Sequence, residues 1–177
     1  MDERPLQIAI VAGEPSGDRQ GAALLAALRE RAAPRSVTAW GVGGPAMRDA
    51  GVALRVDSER WATIGLAATL FHLPFLLMEM IRFRRALAAQ PPDALVLIDS
   101  GGVNVRLARW VKRRNLCPVF YYFPPGSWRR ATLGKSTLAT VTDRIVTPFP
   151  WSETLLRASG ADAHFVGHPL LDLVQPS

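Results

Sequence analysis

Four short stretches place chemistry-capable side chains directly after apolar runs. "AGEPSGD" (12–18) sets Glu14, Ser16 and Asp18 among Gly13 and Gly17, and "IDSGGVN" (98–104) carries Asp99 and Asn104. "FPPGSW" (123–128) carries Ser127 and Trp128, and "GVGGPAM" (41–47) has three glycines within four residues. A carboxylate at the end of a strand is a suitable general base for a hydroxyl nucleophile, because it is held rigidly beside a turn where substrate can approach. Asp99, directly after the continuous run "ALVLI", is a candidate catalytic carboxylate at a strand end.

Each stretch also has a plainer reading. In "AGEPSGD" the glycines permit a tight turn, and Ser16 and Asp18 suit the cap of a following helix. The same arrangement suits a ligand cradle at a helix N-terminus. The stretch is not GxGxxG and lacks the lysine of a phosphate-binding loop. Glu14 and Asp18 would repel a bare phosphate, so sugar hydroxyls are better partners. "GVGGPAM" fits a simple turn or a close approach by backbone or ligand. Trp128 suits stacking on a sugar, cover for a lipid, or surface packing. The histidines, His72, His164 and His168, show no metal-ligand spacing. The single cysteine, Cys117, excludes an internal disulfide and a cysteine-cluster metal site, and its apolar setting, "LCPVFYYF", predicts a buried thiol.

The elements that must hold these turns follow from periodicity. Strands are expected at Leu6–Ala12, Val37–Val42, Val52–Val56, Ala94–Ile98, Val119–Phe123, Arg144–Thr147 and Ala163–Val166. Helices are expected at about 19–31, from Pro45 to near Gly51, at 74–89 and at 103–115. A last one, 152–159, has Ser152 as its N-cap and Gly160 just past its end. Strands alternating with helices imply an α/β, Rossmann-like parallel sheet with helices on both faces. Its 177 residues suffice for one domain with a sizeable core. In such sheets ligands bind outside the carboxyl ends of the strands, which is where all four turns lie.

The formal charge is +6, from 21 Lys and Arg against 15 Asp and Glu. That surplus suits nucleic acid, anionic lipid or phosphorylated ligands alike. Nucleic acid is disfavoured, because the positive charges are scattered over several helices and form no basic-aromatic module. The segment 62–81, "ATIGLAATLFHLPFLLMEMI", has the length of a membrane span, but Pro74, two threonines and Glu79 interrupt it. Arg82, Arg84 and Arg85 follow at once. Either this is a core helix with a solvated basic end, or Leu76, Leu77 and their neighbours lie on an anionic bilayer with the arginines as a basic rim. "MDERPLQIAIVAG" passes straight from charge to strand, which predicts no signal peptide and a cytoplasmic protein. The closing "LLDLVQPS" reads as a chain cut at a domain boundary.

Taken in order, these stretches resemble the lipid-A-disaccharide synthase family. "AIVAGEPSGD" resembles its opening "AGExSGD", and "TPFPWSETLLRASGADAHFVGHPLLD" its "LPFE…FVGHPL.D" end. "GVGGPAMRDAG", "TIGLAATL" and "PDALVLIDSGGVN" are similar to the stretches between, the last to "PDxxIxIDxPDFN". The resemblance implies a GT-B glycosyltransferase of two Rossmann-like domains, of which this chain is the N-terminal, acceptor-side one. The C-terminal nucleotide-sugar domain lies outside it. It further implies transfer of diacylglucosamine from UDP-diacylglucosamine to diacylglucosamine 1-phosphate, without metal or cofactor. Its partners would be the acylated glucosamine acceptor, the UDP-sugar donor held by the other domain, and an anionic membrane surface. Such a protein is cytoplasmic and peripheral on the inner membrane. By this resemblance Asp99, or else Asp18, is the base. Gly13, Glu14, Ser16 and Gly17 position ligand, Asn104 bonds sugar or fixes its loop, and Ser127 and Trp128 fall where the family has "SPSVWAW". The chain departs where Gly102 replaces the family's second aspartate. Pro-Asp-Phe has become Gly-Gly-Val, a looser and less charged wall, which implies a different acceptor or a weakened or lost activity. A lipid- or membrane-binding module derived from such an enzyme, without transferase activity, is the alternative.

Overall fold

The computed structural model describes residues 4–59, 69–124 and 137–169, with the backbone alone for 69–73. Seven strands, β1 (Leu6–Ala12), β2 (Val37–Gly43), β3 (Ala53–Asp57), β4 (Ala94–Ile98), β5 (Val119–Tyr122), β6 (Arg144–Thr147) and β7 (Ala163–Phe165), alternate with helices. Among the described residues the helices are α1 (Pro15–Ala32), α2 (Pro45–Asp49), α3 (Thr69–Ala89), α4 (Gly101–Arg113), α5 (Thr137–Val141) and α6 (Pro150–Ala158). The hydrogen-bonded strand order is β3-β2-β1-β4-β5-β6-β7, a parallel α/β arrangement of the Rossmann-like kind. By contacts the chain divides into two compact units, Met1–Leu95 and Val96–Ser177.

In the first unit β1 and β2 run in continuous register from Leu6 opposite Val37 to Val11 opposite Val42. Ile8 to Ala12 are all buried, as a strand covered on both faces requires. Gly41 is obligatory there. A Cβ on it would stand 1.8 Å from the Ile10 carbonyl oxygen, so the close approach expected of the glycine-rich turn is to the β1 backbone. Leu25 of α1, Met47 of α2 and Phe83 and Leu87 of α3 complete this core.

In the second unit β5, β6 and β7 pair in parallel. Asn104, Leu107, Ala108 and Val111, spaced three and four apart, form the buried stripe of α4. Asp143 joins the starts of β5 and β6: its N–H donates to the Val119 carbonyl at 2.8 Å, and its carboxylate accepts from the Val119 N–H at 2.7 Å and from Lys112 at 2.6 Å.

Several boundaries differ from the sequence expectation, each for a local reason. α1 starts at Pro15 rather than near residue 19, since proline at the first helical position needs no N–H partner. Ser16 and Asp18 therefore lie inside the helix. Glu14 is its N-cap, without a side-chain bond. α6 likewise starts at Pro150 with Phe149 as N-cap, so Ser152 is a buried residue of the first turn and not the cap. α4 starts at Gly101, which makes Gly101 and Gly102 the first turn of a helix rather than a loose wall. α3 begins at Thr69 and runs through Pro74, at the loss of one hydrogen bond of the helical ladder. α5 was not anticipated, and Cys117 is half-buried rather than buried.

Candidate functional site

In the first unit the turns after β1 and β2 enclose a cleft of about 530 Å³. Gly13, Asp18, Arg19, Gly44, Asp49 and Ser58 are among its lining residues. Glu14 and Ser16 are exposed in the same β1–α1 turn, while Gly17 is buried within α1. Asp18 is only 4% exposed. Its Oδ1 accepts from the Gly44 N–H at 2.7 Å and the Met47 N–H at 3.1 Å, and its Oδ2 from the Ala46 N–H at 2.9 Å. Thus Asp18 does not cap its own helix. It gathers the first N–H groups of α2, which no helical carbonyl can reach, and ties the β1 turn to the β2 turn. Gly44 is shaped by this contact, since a Cβ on it would lie 2.9 Å from Asp18 Oδ2.

The second unit holds Asp99 at the carboxyl end of β4. Asp99 and Ser100 both adopt left-handed backbone conformations, with φ of 49° and 43°. Two consecutive non-glycine residues in that region are uncommon and strained. The turn is pinned by buried side chains of two other elements. Asn104 Nδ2, from α4, donates to the Ile98 and Asp99 carbonyls, both at 3.0 Å. The Tyr121 hydroxyl, from β5, donates to the Asp99 carbonyl at 2.6 Å. Asn104 is 1% exposed, so of the two roles open to it the structure shows the fixing of the loop. Burial pushes the Tyr121 phenol up from its ordinary value and keeps it a donor. The Asp99 side chain, by contrast, is half-exposed, and among the described residues its carboxylate has no hydrogen-bond partner. The space that a Cβ on Gly102 would fill is open for 4 Å. A carboxylate on a fixed backbone, without a hydrogen bond among the described residues, can accept a proton from an incoming hydroxyl.

Tyr121 and a ring cluster escaped the sequence reading. Phe149 packs on Trp151 at 5.3 Å and on His168 at 5.6 Å, and Phe123 stacks on His168 at 6.5 Å. His168 thereby joins the turns that follow β5, β6 and β7. The signal for Tyr121 was the alternation in "VFYYF", whose buried face is Val119, Tyr121 and Phe123, since a tyrosine on a buried face must find a partner for its hydroxyl. Ser127 and Trp128 lie outside the described residues. Among the described residues no three His, Cys, Asp or Glu side chains converge to hold a metal.

On α3 the solvent-facing arc is apolar in its first half. Phe75, Leu77, Met78 and Ile81 are exposed, Leu77 by 55%, whereas Leu76 is half-buried. Arg82 and Arg85 continue the exposed arc, Arg82 bonding Glu79 at 2.9 Å, and Arg84 is half-buried. Among the described residues no helix is long and apolar enough to cross a membrane.

The family model described as lipid-A-disaccharide synthetase matches residues 8–177. The lipid-A-disaccharide synthase of Geobacter sulfurreducens is 39% identical over 97% of this chain and 44% of its own length. The synthase of Syntrophus aciditrophicus is 39% identical over 95% of this chain and 43% of its own length. That of Xanthomonas oryzae pv. oryzae is 38% identical over 96% and 38% respectively. The chain thus spans less than half the length of these curated relatives. A match across nearly all of its residues, on a Rossmann-like sheet with an aspartate at a strand end, places this chain in the lipid-A-disaccharide synthetase family.

Proposed function

We propose that this chain is the acceptor-binding part of a glycosyltransferase. It would transfer diacylglucosamine from UDP-diacylglucosamine to a hydroxyl of diacylglucosamine 1-phosphate. The observation that carries the reading is Asp99, whose half-exposed carboxylate, unengaged among the described residues, stands at a strand end on a backbone fixed by two buried side chains. The acceptor oxygen attacks the anomeric carbon, its proton passes to Asp99, and the bond to the phosphate oxygen breaks with the electron pair leaving on UDP. The UDP site belongs to the other part of such an enzyme. Asp18, with both oxygens engaged by backbone donors, serves as a positioning residue that shapes the first-unit cleft for the hydroxyls of a sugar. The exposed apolar arc of α3, with Arg82 and Arg85 beside it, supports peripheral attachment to an anionic bilayer on the cytoplasmic side.

The test is a transfer assay with both lipid substrates, on the protein as its gene encodes it, comparing the parent with Asp99→Asn. The expected result is a loss of turnover of about 100-fold or more, the scale of a missing general base. Equal turnover removes Asp99 from that role. A parent that makes no disaccharide yet binds anionic vesicles favours the membrane-binding module instead, a reading motivated by glycine at position 102.

A further inference from the structure

Asp99 and Ser100 hold backbone conformations that L-residues avoid, because the Cβ crowds the carbonyl oxygen. Neither residue supplies what keeps them there. Ser100 makes no side-chain cap to α4, and among the described residues the Asp99 side chain makes no bond to its own turn. Besides the helical bond from the Asn104 N–H to the Ser100 carbonyl at 3.1 Å, two side chains restrain the turn at the Asp99 carbonyl oxygen. Asn104 Nδ2 reaches it from the first turn of α4, but that bond spans five residues and is shared with the Ile98 carbonyl. Tyr121 reaches it from the neighbouring strand order, 22 residues away, with the shorter bond of 2.6 Å and a fully buried ring that leaves its hydroxyl no water to turn to. The bond orients the Asp99–Ser100 peptide, and that peptide sets the direction in which the Asp99 side chain leaves the chain.

We infer that Tyr121 is a positioning residue: its hydroxyl holds the left-handed Asp99–Ser100 turn and so fixes where the Asp99 carboxylate stands. Its importance for transfer rests on the reading of Asp99 as the base, whereas its grip on the turn does not. Tyr121→Phe keeps the ring and its packing and removes only the hydroxyl, which also meets the Asn104 side chain. Burial pushes the phenol above its ordinary value, which favours the protonated donor.

The experiment has two arms. In the first, carbon chemical shifts of Asp99 and Ser100, which report left-handed backbone, are measured in the parent and in Tyr121→Phe. They are expected to move toward ordinary values in the variant, and unchanged shifts overturn the proposal. In the second, the transfer assay follows Tyr121→Phe, Asp99→Asn, and Tyr121→Phe combined with Ser100→Gly. Turnover is expected to fall about tenfold in Tyr121→Phe, the scale of one lost hydrogen bond, with the acceptor KM held. Glycine adopts the left-handed conformation without penalty, so Ser100→Gly is expected to restore most of that loss, which a mere packing defect would not allow. Moved shifts with unchanged turnover, where Asp99→Asn loses it, overturn the positioning role. Full turnover in Asp99→Asn removes the base reading alone, and the shifts still decide whether Tyr121 holds the turn.

Discussion

Removing the Asp18 carboxylate is the sharpest test of how the first unit is built. Its two oxygens satisfy three backbone N–H groups at the start of α2, and those of Gly44 and Met47 are buried. In Asp18→Ala both buried donors lose their partner at about 1–3 kcal/mol each, while the partly wet Ala46 N–H adds less. Removing a buried charge returns part of this, since the carboxylate no longer needs to be kept from water. The net loss is about 3–4 kcal/mol, a large share of the roughly 5–15 kcal/mol that holds a domain together. For a chain of this size that is a Tm lower by roughly 6–16 °C. Asp18→Asn keeps one oxygen, enough for Gly44 and Met47, which share Oδ1. It turns its NH2 toward the Ala46 N–H, so a loss of about 1–2 kcal/mol is expected. Gly44→Ala is the companion, because its Cβ would sit 2.9 Å from Asp18 Oδ2. Once the carboxylate is gone that Cβ has room, and the double variant should be less unstable than the sum of the singles. Urea and thermal unfolding followed by circular dichroism measure all four proteins. An Asp18→Ala protein within about 1 kcal/mol of the parent, with an additive cycle, refutes the reasoning.

Two further outcomes follow from other parts of the molecule. Burial pushes the Asp143 carboxyl up, but the Lys112 ammonium and the Val119 N–H outweigh it and hold the group below its ordinary value of 3.8. A carboxyl depressed in the folded state stabilises above its unfolded pKa, and the effect fades as pH falls through the folded value. Asp143→Asn should therefore have a lower urea midpoint than the parent at pH 7, by an amount that narrows as the pH is taken below about 4; a gap independent of pH contradicts this. On α3, Leu77→Asp with Ile81→Asp should weaken binding to vesicles of anionic lipid by about 30-fold, equivalent to about 2 kcal/mol for two half-exposed side chains no longer inserted. Unchanged co-sedimentation of a folded variant removes α3 from the membrane contact.

The order of elements was legible in the sequence because strands such as β1, β4 and β5 are short apolar runs with glycine or proline close to their ends. A helix over 103–115 was legible, whereas the burial of the polar Asn104 in the stripe of α4 was not. The starts of α1 and α6 were misplaced by a rule that favours Ser and Asp as caps. In both, a proline at the first helical position settled the boundary, and the polar residues were drawn inward. The same distinction runs through the candidate site. Asp99 and Asp18 were both candidate bases from the sequence, with Asp99 preferred. Their difference is tertiary. Asp18 lies 26 to 29 residues from the N–H groups that engage it, and Asp99 lies 22 from the tyrosine that holds its carbonyl. Hydrogen bonds across such separations exist only once the strands are side by side. Local periodicity therefore determined where the turns fall, and folding decided which carboxylate is consumed by the scaffold and which, among the described residues, is left free.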